Sequence, residues 1–207
     1  MAEPIPLILQ LIRTGNCLWE TQGRFAGLSN IPLCPSSEPN LREIGAGLRV
    51  DTRVILSAED DASIAAARIV GESCPNRVDQ KAIEELHEIG LGLWEGMLEA
   101  DAQSRFHSMY RQWKTDPASV ALPEAETLSD ARERLLAAIG RGAGRAGSKG
   151  SVAVVLRPLA WATAACALGD IPTVQFWDLL KAPESNLTIS IDPAVLKVKR
   201  RAARTVA

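Results

Sequence analysis

Apolar runs alternate with amphipathic stretches along the chain. LILQLI (Leu7–Ile12) is a short apolar run that stops at a Gly-containing turn, as a buried strand does. Residues 13–40 are rich in Gly, Asn, Ser and Pro and read as loop, before PNLREIGAGLR takes a helical pattern with glycine near its end. TRVILSA (52–58) predicts a second strand, and after Asp60 the Ala-rich DASIAAARIVGE predicts a helix halted by Gly71 and Pro75. KAIEELHEIGLGLWEGM passes from a short extended piece into a Gly-punctuated loop. Helices are expected at about 98–114 and 126–145. SVAVVL (151–156) is the cleanest buried strand, a helix follows over 159–168, and LTISID (187–192) alternates like a last strand. GRGAGRAGSKG (140–150) reads as a flexible helix-to-strand connection, because no strand precedes it to make it a phosphate loop.

Strands alternating with helices predict an α/β fold with a mostly parallel sheet. Ligands in such sheets lie at the carboxyl ends of strands. Three strand ends become candidates: Arg13-Thr14, Ser57 to Asp61, and Arg157-Pro158.

The 207 residues carry a net charge of −2, which gives no global reason to expect nucleic acid or an anionic membrane as partner. One local exception is the tail KVKRRAARTVA with Lys197, Lys199, Arg200, Arg201 and Arg204, read as a solvated basic tail. The four cysteines are scattered and the two histidines, His87 and His107, stand apart, so no metal site is expected. The first apolar stretch is too short to span a bilayer and Glu3 precedes it, which points to a reduced, cytoplasmic protein.

Five ordered segments, LIRTGNCLWETQGRFAG, LHEIGLGLWEG, LPEAETLSDARERL, VAVVLRPLAWATAACALGDIP and ESNLTISID, resemble the signatures of the histidine phosphatase superfamily in its phosphoglycerate mutase-like branch. The first is similar to an Arg-His-Gly-Glu, Trp-Asn, Gly-Arg-Phe-x-Gly motif, with Arg13, Thr14, Gly15, Asn16, Trp19, Glu20, Gly23, Arg24, Phe25 and Gly27 in register. The resemblance implies a three-layer α/β/α sandwich forming one domain over 1–196. It also implies a helical lid insertion near 98–125 and a separate basic tail at 197–207.

The family's reaction needs an imidazole that attacks a phosphoryl group, arginines and a second histidine on the phosphoryl oxygens, and a carboxylic acid for the leaving group. Carried over by position, the first arginine is Arg13 and the acid is Glu88. The nucleophilic histidine falls on Thr14, the second histidine on Arg157, an asparagine on Glu20 and the second arginine on Asp61. Arg24 and Gly15 complete the phosphate-handling set. A threonine hydroxyl cannot become a phosphohistidine. Glu20, Asp61 and Glu88 outnumber Arg13 and Arg157, and a unit charge at ~4 Å is worth roughly 4 kcal/mol at an effective dielectric of about 20.

The resemblance therefore implies a pseudoenzyme, a binding or regulatory module for an anionic small molecule or a protein partner, with no cofactor. In the bland version the five charges pair with one another, Arg13 or Arg157 bridging Asp61 and Glu88, and close the pocket. A second version is a weak phosphoric-ester hydrolase in which Glu88 activates water, with Arg13, Arg24 and Arg157 near the phosphate. Tyr110, Arg111, Trp113 and Lys114 are candidate lid contacts, or equally a homodimer face. Trp19, Trp94 and Trp161 are expected to pack. Cys17 and Arg24 are one residue too far apart for the Cys-x5-Arg loop of cysteine phosphatases.

Overall fold

The computed structural model describes residues 6–146, 150–181 and 186–192. Its sheet has five strands, β1 (Leu7–Arg13), β2 (Thr52–Ser57), β3 (Asp79–Ala82), β4 (Ser151–Leu156) and β5 (Asn186–Ile191), in the order β3-β2-β4-β1-β5. The first four are parallel and β5 runs antiparallel on β1. All six residues of β4 are buried, as a central strand covered on both faces requires. On β5 the apolar Leu187, Ile189 and Ile191 turn inward between exposed polar residues, the alternation of an edge strand with one wet face.

Helices α2 (Glu38–Ala46) and α3 (Asp61–Ser73) cover one face, with Leu41, Ile44, Ala66 and Val70 packed on Ile12, Ile55 and Val155. Helices α6 (Leu128–Ala146) and α7 (Pro158–Leu168) cover the other, with Leu135, Ile139 and Ala164 on Leu9, Leu56 and Val154. This is the expected α/β/α sandwich. Three short helices lie toward the cleft end: α1 (Leu18–Thr21), α4 (Glu99–Arg105) and α5 (His107–Thr115). A last one, α8 (Phe176–Lys181), closes the described helices.

Three readings are corrected. The helix expected at 98–114 is two helices, broken at Phe106, whose backbone (φ −121°, ψ 40°) leaves helical geometry while its ring packs 6.0 Å from Trp94. The Gly-rich stretch from 140 is helical as far as Ala146. Gly142 serves packing, since a β-carbon there would run into the Leu56 and Ile83 side chains, whereas at Gly144 it would meet open space. Third, the loop after β1 contains the one-turn α1. The basic tail, with Glu184 and Ser185 of the last motif, lies outside the described residues.

Among the described residues no helix is long and apolar enough to cross a membrane. All four cysteines are free.

Candidate functional site

The chain leaves β1 toward α2 on one face and leaves β4 for α7 on the other, so the carboxyl ends of these neighbouring strands diverge into a crevice. Their ends are locked together: the Thr14 amide donates to the Leu156 carbonyl at 2.8 Å. Thr14 is buried at this seam. Gly15 follows because a β-carbon there would overlap the Ser37 side chain. The crevice opens into a cleft of about 350 Å³ whose charged lining is Arg13, Arg24 and Lys114 against Glu20, Glu88 and Glu99.

Each cation already has work. Arg13 Nη1 donates to the Leu180 carbonyl at 2.8 Å, and its guanidinium lies 5.6 Å from the Trp161 ring centroid. Burial pulls its pKa below the usual value, with Glu20 acting the other way. Arg24 Nη1 donates to the Gly96 carbonyl at 2.7 Å. Lys114 Nζ pairs with Glu99 at 2.9 Å and sits 4.2 Å from the Trp177 ring centroid, with the Trp113 and Tyr110 rings nearby. Burial opposes the charge on Glu99, but hydrogen bonds from Tyr110 and Lys114 outweigh it and hold the carboxyl below its ordinary range.

Glu88 occupies the floor. Pro158 opens α7 and Arg157, its N-cap residue, offers no side-chain cap, so the first amides of the helix need an acceptor from elsewhere. Glu88 supplies it: Oε2 accepts from Leu159 at 2.9 Å, and Oε1 from Ala160 at 2.7 Å and from Ile89 at 2.8 Å. Burial pushes this carboxyl up to about 7, against the opposing pull of Arg157 and the amides. The loop that carries it is clamped by Arg134 on α6, which donates to the carbonyls of Glu85 at 2.8 Å and His87 at 3.0 Å and pairs with Glu126.

Arg157 is buried behind the cleft wall and does not line the cleft itself. Its side chain is 2% exposed, and Nη1 donates to the carbonyls of Gly27 at 2.9 Å and Ser29 at 3.2 Å. Nη2 stands 3.9 Å from Glu20 Oε1. Burial alone would lower its pKa, but the carboxylates of Glu88, Glu20 and Asp60 outweigh that and raise it. Glu20 divides its carboxylate between this contact and the Cys17 amide, which donates to Oε2 at 2.7 Å.

The expectation for Asp61 does not hold. It is exposed at the first turn of α3, its amide bonded to Asn30 Oδ1 at 2.9 Å, and it does not line the cleft. The neighbouring Asp60 is the residue whose charge reaches Arg157. It caps α3 by accepting from the Ser63 amide at 3.0 Å, and its buried Oδ2 has no hydrogen-bond partner among the described residues. Asp60 stands just before a helical run with serine three residues on, which is an N-cap pattern the sequence displays. Sequence reading also missed Glu99 and the α8 pair Trp177 and Leu180; QFWDLLK has the apolar spacing that would have found α8.

Neither histidine lines the cleft. His87 Nδ1 sits 2.7 Å from the Glu88 carbonyl oxygen, and His107 is exposed at the start of α5. Burial pushes the Cys17 thiol up, the reverse of what a thiolate nucleophile needs. Of the lid candidates Trp113 and Lys114 line the cleft, Tyr110 donates to Glu99 at 2.6 Å, and Arg111 is exposed, lining a shallow outer depression instead. Trp94 is buried at the centre of an aromatic cluster with Phe25, Phe106, Tyr110 and Trp113. No group of three or more His, Cys, Asp or Glu among the described residues is placed to hold a metal ion.

Solved structures share this fold, among them two bacterial proteins. YhfR of Bacillus stearothermophilus superposes with a TM-score of 0.74 at 23% identity, covering 83% of this chain and 84% of that one. Phosphoglycerate mutase of Bacillus anthracis gives 0.70 at 21% identity, covering 82% and 83%. In sequence, the bifunctional protein Rv2228c of Mycobacterium tuberculosis is 27% identical over 143 residues, which are 65% of this chain and 36% of the longer relative. The chain thus matches about a third of that relative's length. The sequence profile of the histidine phosphatase superfamily (branch 1) matches residues 9–203, and the chain belongs to that superfamily.

Proposed function

We propose that this chain is a phosphoglycerate mutase-like domain without phosphohistidine chemistry, acting as a binding or regulatory module whose cleft takes an anionic small molecule or a protein partner. One observation carries this reading. Where the family's reaction calls for a second imidazole over the phosphate, at the end of β4, a buried guanidinium is spent on the loop carbonyls of Gly27 and Ser29. No other imidazole compensates, since neither histidine lines the cleft. Glu20, and Glu88 wherever it is ionised, add negative charge where a phosphoryl group would sit, against arginines already bonded to backbone. The four free cysteines support a reducing, cytoplasmic setting as part of the proposal.

A second reading has its own support. A carboxyl at about 7 on the cleft floor is poised near neutrality as a general acid or base. In that reading Glu88 activates water in a weak phosphoric-ester hydrolase.

The deciding experiment measures phosphate release from a panel of phosphomonoesters at high protein concentration, beside Glu88→Gln checked for its fold by circular dichroism. The pseudoenzyme reading expects no release from either protein. Release by the parent chain that disappears in a folded Glu88→Gln would replace it with the hydrolase. Thr14→His should likewise yield no phosphohistidine by ³¹P NMR, because the acidic lining and Arg157 are unchanged. A phosphohistidine signal in that single variant would show the charge argument to be wrong.

A further inference from the structure

A second cavity, of about 380 Å³, lies along the carboxyl-terminal half of α7 and shares no lining residue with the cleft. It falls in the size range of small-molecule sites, about 300–1,000 Å³. Its wall is apolar where Ile171 and Phe176 line it, and two opposite charges line it as well: Arg132 from α6 and Asp170 from the turn after α7. Both side chains belong to exposed residues, and neither has an ion-pair partner among the described residues.

Asp170 is locally the wrong residue for its place. The Ile171 amide closes α7 by donating back to the Cys166 carbonyl at 3.0 Å, which makes residue 170 the left-handed position of a Schellman turn. Its φ is 54°, a conformation suited to glycine, yet the glycine stands one residue earlier at Gly169. A carboxylate also opposes the negative end of the helix dipole. Charge favours a cation beside Asp170, and residues held at positive φ recur at ligand clamps. No side chain of the described chain supplies that cation.

We propose that this cavity binds a small zwitterion of the free amino acid class with a large apolar side chain. Its carboxylate pairs with Arg132, its ammonium pairs with Asp170, and its apolar body rests on Ile171 and Phe176. A ligand with only one charge satisfies only one wall. The proposal does not depend on what the cleft does, since the two sites share no residue and the readout is binding.

The test is calorimetric titration of the purified chain with L-leucine, L-phenylalanine and L-tryptophan. Phenethylamine, which lacks the carboxylate, and 3-phenylpropionate, which lacks the ammonium, are the controls. At least one amino acid should bind saturably at one site, with both controls weaker by about tenfold or more, the loss of one charged contact. Arg132→Ala and Asp170→Asn, at exposed positions, should each weaken it by a similar factor. Asp170→Gly should lose binding while its melting midpoint rises by about 2–4 °C, as relief of local strain in a chain of this size predicts. No binding by any of the three amino acids, equal binding by either control, or binding untouched in the variants would overturn the site. A fall in the Asp170→Gly midpoint would overturn the claim that Asp170 is held at a local cost.

Discussion

Glu88→Ala should cost the fold about 3–5 kcal/mol in a denaturant titration, because three amides, two of them in buried bonds, lose this acceptor at once. Ile89, Leu159 and Ala160 all donate to this one carboxyl. Glu88→Gln keeps a carbonyl in place and should cost less, about 1–2 kcal/mol near neutral pH. The pH dependence is the more specific signature. In the folded chain the carboxyl titrates at about 7, above its usual 4.5. Below about pH 4.5 both folded and unfolded chains hold this proton and the contribution is fully present. As pH rises toward 7 the unfolded chain releases it first, and stability falls by about 3 kcal/mol across that window before levelling off. Glu88→Gln has no such proton, so its advantage or deficit against the parent must drift by that amount between pH 4.5 and 8. Parallel stability curves for the two proteins would mean that Glu88 is ionised in the fold throughout, its amide bonds and Arg157 outweighing burial.

The legible parts of this molecule are those set by local pattern. The strands at 7–12, 52–58 and 151–156 show themselves because a buried parallel strand needs a continuous apolar run, and the edge strand at 187–192 because one wet face forces alternation. β3 shows only as the short extended piece read from Lys81, because all four of its residues are exposed and β2 is its one strand partner, so DQKA carries no burial signal. Gly142 misleads for the opposite reason: its lack of a side chain answers the closeness of β2, which no neighbour in sequence reports. At the site, Arg13, Glu20, Arg24 and Glu88 were found in the cleft lining. Asp61 failed by one residue because helix geometry decides which of two adjacent aspartates caps inward. The direction of Arg157 was beyond the sequence altogether. Its partners are the carbonyls of Gly27 and Ser29, about 130 residues away, and backbone carbonyls leave no trace in residue identity.

Arg157→Ala should destabilise the chain by about 3–5 kcal/mol, comparable to breaking a buried ion pair from one side. The guanidinium is 2% exposed and is the charge that offsets Glu88, Glu20 and Asp60 from within. Its loss strands those acids and leaves the Gly27 carbonyl without its donor, while the Ser29 carbonyl keeps only the Ile31 amide. The damage should be local before it is global. The Leu28 amide is held from the other side by Glu95 and the Ser29 amide by Ala26, so hydrogen exchange at Leu28, Ser29 and Ile31 should speed up by about tenfold or more beyond the change seen in β2. Unchanged exchange there would mean that Glu95 alone fixes the loop. Arg157→Met separates packing from charge, since it refills much of the volume without the guanidinium. In that variant the Glu88 carboxyl loses the cation that lowers it, so the pH window of its stability loss should move upward. Combining Arg157→Met with Glu88→Gln then removes both members of the electrostatic pair, and their joint cost should fall short of the sum by about 1–3 kcal/mol. Additive costs, within about 0.5 kcal/mol, would show that the two side chains do not sense each other. Arg157 would then be a strap for the 27–29 loop alone, and the cleft's acidity would rest on Glu20 and Glu88 independently.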